Sequence, residues 1–239
     1  MKKTTSIMVL VTLVYASAAR AQTSEPTRVF IDFNVGLQPQ SRTIDTTLPS
    51  FPLYDETATV TTSQTVGKRA IFDARVGYRL FSQLGVAVGY STYSRTGPIA
   101  ATASIPSPLF FNRPATVAAG VSSTKRNDSN VYLLAVWFMP ITEHIEVAFS
   151  AGPSGTRVRQ DFIKSVTVPV GTQTVTPVVG GETGRAWGVN VGVDGIWLVT
   201  KNFGGGIFIR YNGSTVDLPS ASNLKTGGFQ AGLGARVRF

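Results

Sequence analysis

The run Ala70-Ile71-Phe72-Asp73-Ala74-Arg75-Val76-Gly77-Tyr78-Arg79-Leu80 alternates with a period of two. Ala70, Phe72, Ala74, Val76, Tyr78 and Leu80 fall on one face of an extended chain; Ile71, Asp73, Arg75, Gly77 and Arg79 fall on the other. The same dyad sets Val29, Ile31, Phe33, Val35 and Leu37 against Phe30, Asp32, Asn34, Gly36 and Gln38. It returns in Ile145, Val147, Phe149 and Ala151 against Glu146, Ala148, Ser150 and Gly152. At the C-terminus Phe229, Ala231, Leu233, Ala235, Val237 and Phe239 alternate with Gln230, Gly232, Gly234, Arg236 and Arg238.

Working outward from these runs, the pattern predicts strands near 28–38, 68–80, 84–96, 128–139, 144–157, 185–199, 203–213 and 227–239. Several reach the roughly ten residues of a tilted membrane strand, where a soluble strand averages about five or six. The connections alternate. Phe81–Gln83, Pro140–Glu143 and Thr200–Asn202 are short, while 39–67, 97–127, 158–184 and 214–226 read as long polar or proline-rich loops. A closed barrel with one trimmed and one elaborated rim accounts for this, and closure satisfies every backbone polar group in lipid. The expected fold is an all-β, eight-stranded antiparallel up-and-down transmembrane β-barrel with both termini on the periplasmic side.

Composition excludes other classes. The 239 residues are 43% hydrophobic and only 15% charged, with 24 Gly, which fits neither a disordered chain nor a helical bundle. The absence of Cys removes disulfide frameworks, thiolate metal sites, Cys nucleophiles and a lipidated N-terminal Cys. Residues 1–21 combine Lys2 and Lys3, an apolar stretch from Ile7 to Tyr15 and the small-residue end Ala19-Arg20-Ala21. This is the layout of a secretory signal peptide cut after Ala21, leaving 22–239 as the barrel domain. Cleavage also takes three basic residues out of a formal charge of +9.

A lipocalin-like periplasmic barrel would turn its apolar face inward around a ligand. Against it, the polar faces carry Asp32, Asp73, Arg75, Glu146, Asp194, Arg210 and Arg236 among many Gly, which suits a narrow interior, and the bulky apolar rows suit lipid. On these features the sequence resembles the small outer-membrane β-barrel proteins, the group that includes the OmpA transmembrane domain, OmpX and the opacity-type proteins. The most specific local element is Gly227-Gly228-Phe229-Gln230-Ala231-Gly232-Leu233-Gly234-Ala235-Arg236-Val237-Arg238-Phe239, which ends on an aromatic residue in register with the apolar face. In that family such a strand is read by the barrel-assembly machinery, so the resemblance implies that role for Phe229, Val237 and Phe239; Phe239 is equally suited to a lipid-facing girdle. The sequence departs from full-length OmpA-like proteins in ending with the last strand, so a peptidoglycan-binding domain is not expected.

Eight strands enclose an interior that side chains fill. Asp32, Asp73, Glu146 and Asp194 are expected to pair there with Arg75, Arg79, Arg210, Arg236 and Arg238, since an isolated buried charge costs several kcal/mol. Lys68, Arg69, Arg95, Lys125, Arg126, Arg157, Arg159, Arg185 and Lys225 lie near strand ends on the long-loop side. They form an expected basic collar, either binding lipopolysaccharide phosphates or keeping the rim solvated.

The expected function is that of a bacterial outer-membrane protein with a structural or surface-interaction role through long extracellular loops, whose partner the sequence does not name. The alternatives are a narrow channel for small solutes or ions and, from another class, a lipid-modifying enzyme. The expectation is no enzyme: the single histidine, His144, sits beside a short periplasmic turn with Glu143 and Glu146 but no strand-borne nucleophile. No metal ligand set or cofactor motif emerges, and the glycine runs Gly204–Gly206 and Gly232–Gly234 lie inside strands. No exposed basic stripe with interleaved aromatics supports nucleic-acid binding. Expected partners are outer-membrane lipid, lipopolysaccharide and the assembly machinery.

Overall fold

The structure, a computed structural model, describes residues 28–239; the expected signal peptide lies outside the described residues. Eleven strands and no helix make up this part: β1 (Val29–Gln38), β2 (Arg42–Thr47), β3 (Phe51–Leu53), β4 (Glu56–Val66), β5 (Arg69–Arg79), β6 (Leu84–Ile105), β7 (Ala115–Pro140), β8 (Ile145–Thr167), β9 (Thr176–Leu198), β10 (Phe203–Leu218) and β11 (Ala221–Arg238). β1, β5, β6, β7, β8, β9, β10 and β11 pair in turn, all antiparallel, and β11 returns to β1. The eight-stranded barrel inferred from the dyads is therefore the fold.

Three tight turns of one geometry form the inner rim. The amides of Leu80 and Phe81 donate to the Leu84 carbonyl, those of Ile141 and Thr142 to Ile145, and those of Val199 and Thr200 to Phe203. At the same level Val29 and Phe239 exchange N–H···O bonds of 3.0 and 2.9 Å, which closes the ring between the first and last strands.

The opposite rim corrects the sequence reading. The segments expected as long loops are mostly strand: β6 continues to Ile105, β7 starts at Ala115, β8 runs to Thr167, β9 starts at Thr176, and β10 and β11 reach Leu218 and Ala221. The first connection folds into β2, β3 and β4, and β4 pairs the far half of β6 from Thr59↔Ser104 to Gln64↔Ile99. Two storeys result, and their walls have opposite polarity. In the lower storey Phe33, Val35, Leu37, Phe72, Val76, Val88, Leu133, Val191, Ile207 and Leu233 point outward and are exposed. In the upper storey Ile99, Ala101, Ala103 and Ile105 turn inward and are buried, leaving Ala100, Thr102 and Ser104 outside.

Two apolar clusters fill the upper storey. Ala58, Val60, Ile99, Ala101, Ala103 and Ile105 pack with Ile163 of β8, and Phe51, Val117, Val166 and Val175 close over them. Val158, Phe162, Val216, Leu218 and Leu224 form the second, with Ile44 of β2 beside them. Hydrophobic burial in water thus holds the hairpins upright, while the lower wall presents its apolar side chains outward. The change of pattern coincides with a β-bulge between Gly97 and Ile99 opposite Val121–Thr124, where β7 gains a residue and its inward parity switches from odd to even.

Candidate functional site

The lower interior is an ionic plug built by strand parity. Asp32 and Asn34 on β1, Asp73 and Arg75 on β5, Asp194 on β9, Arg210 on β10, and Arg236 and Arg238 on β11 project to the axis, where the register sets Asp32 level with both Arg75 and Arg236. Arg75 binds Asp32 at 2.6 Å and Asp194 at 3.0 Å. Arg210 binds Asp73 at 2.8 Å and Asp194 at 3.4 Å. Arg236 reaches Asp194 at 3.2 Å and Asp32 at 3.7 Å, and Arg238 takes Asp32 at 2.7 Å. Asn34 donates to Asp73 at 2.6 Å and accepts from Arg236 at 2.7 Å, and the Tyr132 hydroxyl donates to Asp73.

Asp32, Asp194, Arg236 and Arg238 are 0% exposed. In so dry a setting each charge is tolerable only through its partners, so the network holds itself shut. Below it Arg79 binds Glu146 at 2.7 Å and lies over the Phe138 ring at 3.9 Å. The structure thus gathers all nine charged residues expected in the interior into one network and one separate pair. Asn34 and Tyr132 belong to the same network although the sequence reading left them out; their parity with Asp32 and Leu134 was the available signal.

A second polar layer spans the barrel higher up, and it corrects two members of the expected basic collar. Arg69 is 7% exposed and Arg126 is 4% exposed. Both bind Asp128, at 3.1 and 2.9 Å, and Arg69 lies 4.4 Å over the Tyr93 ring. Arg126 also donates to Gln160, which donates to Gln64, which donates to Thr124, which donates to the Gly97 carbonyl. The reason is parity: Arg69 faces the same way as Asp73 and Arg75, and Arg126 the same way as Asp128 and Tyr132. Arg95 is half-buried on the inner face and donates to the Lys68 carbonyl.

The remaining basic residues do not form a ring. Lys125, Arg157, Arg159 and Arg185 cluster on the outer face of three adjacent strands, β7, β8 and β9, with Arg157 paired to Arg185 and Arg159 to Asn127 and Thr183. Among the described residues none of the four side chains forms an ion pair with a carboxylate, although the Lys125 amide donates to Asp161 at 2.8 Å. Trp187, 84% exposed, stands directly beneath them beside Gly155. Lys68, in the β4–β5 connection, and Lys225, on β11, are exposed and lie away from this patch. Since the strands continue upward, the patch lies along the wall and not at a strand end.

Aromatic side chains ring the outer wall at two levels. Phe72, Tyr90, Trp187, Tyr211 and Phe229 form the upper girdle; Tyr78, Phe81, Trp137, Phe149, Trp197, Phe203 and Phe239 form the lower. On β9 the distance from Trp187 to Trp197 corresponds to about 25 Å of height for strands tilted roughly 40°. Every outward residue between the girdles is uncharged. Val237 and Phe239 face outward at the lower girdle and Phe229 at the upper. His144 is exposed at the lower turn, where its carbonyl accepts the Leu198 amide at 2.8 Å. The described residues contain no cluster of three or more metal-ligating side chains.

No family model and no curated protein matches the sequence. Solved structures do match. Neisserial surface protein A is 16% identical, with 90% of this chain and 100% of that one covered and a TM-score of 0.46. The attachment invasion locus protein Ail of Yersinia pestis is 13% identical, with 89% and 99% covered and a TM-score of 0.43. The outer membrane protein OprG from Pseudomonas aeruginosa is 9% identical, with 90% and 99% covered and a TM-score of 0.44.

Proposed function

We propose that this chain is a bacterial outer-membrane protein that spans the bilayer as a filled barrel and presents its upper storey at the cell surface. The observation that carries the reading is the uncharged apolar band about 25 Å tall between two aromatic girdles, wrapped around an ionic interior. Such a wall is stable only against hydrocarbon, because exposing this contiguous apolar surface to water far exceeds what soluble monomers carry. The short turns lie on the periplasmic side, and export by the N-terminal signal precedes insertion. Phe229, Val237 and Phe239 serve as the assembly signal on the final strand.

The role is structural or surface-interactive, and no catalysis is assigned. The narrow-channel alternative is disfavoured by four guanidiniums and three carboxylates locked across the axis at 2.6–3.7 Å. The patch of Lys125, Arg157, Arg159 and Arg185 above Trp187 is the place where lipopolysaccharide phosphates dock, one flank of the barrel in place of the whole collar. Fractionation of outer membranes followed by gel migration with and without boiling tests the core reading. A boiling-dependent shift in that fraction is expected; recovery in the soluble periplasm would overturn it. For the patch, replacing the four basic residues with Gln should weaken lipopolysaccharide association in detergent, and unchanged association would remove that assignment.

A further inference from the structure

The far end of the upper storey carries an apolar crown. The β6–β7 tip exposes three consecutive large apolar side chains, Leu109 at 82%, Phe110 at 61% and Phe111 at 70%, and the β8–β9 tip exposes Val170 at 95%. These tips are bound to one another. The Asn112 amide donates to Glu56 at 3.0 Å, and the Gln173 side chain donates to the Ile105 carbonyl at 3.3 Å. The Tyr54 hydroxyl donates to the Thr172 carbonyl at 3.1 Å and accepts from the Gly171 amide at 2.9 Å. The β3–β4, β6–β7 and β8–β9 tips therefore form one platform that holds its apolar side chains in water.

We infer that this crown docks onto the zwitterionic surface of an apposed lipid bilayer. It cannot be serving the membrane that holds the barrel: β6 runs from Tyr90 at the upper girdle to Ile105, a climb of about 40 Å at roughly 3.3 Å per residue and 40° tilt. The knobs are convex, and a bilayer accepts convex apolar side chains without a matching cleft. The hollow on the upper wall of a second copy is a poor receptor for them, since polar Asp45, Thr46, Thr61, Thr62, Ser63 and Thr102 line it beside Ala100. Arg113 flanks the trio with its guanidinium 5.9 Å from the Phe110 ring centroid, placed to meet a phosphate as the rings enter the headgroup layer. Asp55 and Glu56 are the other charged residues on the three tips, so the crown has no positive excess for a strongly anionic surface.

The inference rests on the membrane-spanning reading, which boiling-dependent gel migration of the same samples checks separately. Full-length protein in nanodiscs is mixed with brominated phosphatidylcholine vesicles, and flotation and fluorescence are read. Nanodiscs should float with the vesicles, and Phe110→Trp should become quenched, while the three native tryptophans stay in the nanodisc bilayer and are unaffected. Replacing Leu109, Phe110 and Phe111 by Ser should lower partitioning at least about tenfold without altering gel migration. Absent flotation, or flotation unchanged in the triple variant, overturns the inference. Tip-dependent association of nanodiscs with no vesicle capture overturns it in favour of a second copy.

Discussion

Asp194→Ala tests whether the ionic plug holds the barrel together. Asp194 lies within 3.0–3.4 Å of three guanidiniums, Arg75, Arg210 and Arg236, and is 0% exposed. Removing it leaves four guanidiniums facing Asp32 and Asp73 alone. Deleting one partner of a buried pair costs about 3–5 kcal/mol, because the surviving charge stays desolvated without compensation. Asp194→Asn keeps one acceptor oxygen but removes the charge and turns an NH2 donor toward the guanidiniums, so it should lose nearly as much. Asp45→Ala, on the exposed face of β2, should fall within about 0.5 kcal/mol of the parent. The assay is reversible urea unfolding in phosphatidylcholine vesicles, followed by gel migration. The deficit should persist in about 0.5 M salt, since buried charges are poorly screened. An Asp194→Ala barrel within about 1 kcal/mol of the parent, at an unchanged slope, would refute the argument that mutual compensation keeps the lumen charged and closed.

Other outcomes follow from the same geometry. Reconstituted into planar bilayers, the native barrel should give no stable conductance steps, whereas the Arg75→Ala, Asp194→Ala double variant should give them; steps from the native chain would favour the channel alternative. Gly152→Ala should cost about 1–3 kcal/mol, because the added carbon meets the Leu133 carbonyl on the neighbouring strand, while Gly205→Ala, with ordinary van der Waals space at 3.7 Å, should be close to neutral by the same urea assay. Variants retaining one tryptophan each should show shallow quenching by depth-graded brominated lipids for Trp137, Trp187 and Trp197, and deep quenching of any one would misplace the girdles. Arg126→Ala should destabilise by about 2–3 kcal/mol, because buried Asp128 is left with Arg69 alone and Gln160 loses its donor, whereas Arg157→Ala should cost under about 1 kcal/mol, a contrast that separates the inner layer from the outer patch.

The lower storey was legible because one strand face meets lipid and the other meets ions, so the dyad contrast in stretches such as 70–80 is extreme. Above Gly97 both solvent and core are different, and the outward residues Ala100, Thr102 and Ser104 differ little in hydropathy from inward Ala101 and Ala103. That weak contrast made strands look like loops. Arg69 and Arg126 differ from the expected collar for another reason: both adjoin an expected strand end, which suggests the rim, yet their parity aligns them with inward Arg75 and Asp128. The crown was hidden because Leu109-Phe110-Phe111 sits among prolines, and only the bonds from Glu56 and Tyr54 bring it to the summit beside Val170.

The switch from an apolar to a basic outer wall immediately above Trp187 acts as a depth stop. Sinking the barrel by one residue pair would push Trp187 below its interface and draw Arg157 and Arg185 toward acyl chains; raising it would lift Trp197, Phe203 and Phe239 off the opposite leaflet. Either slide is uphill, so in a bilayer of unmatched thickness the lipids around this protein must stretch or thin to meet it.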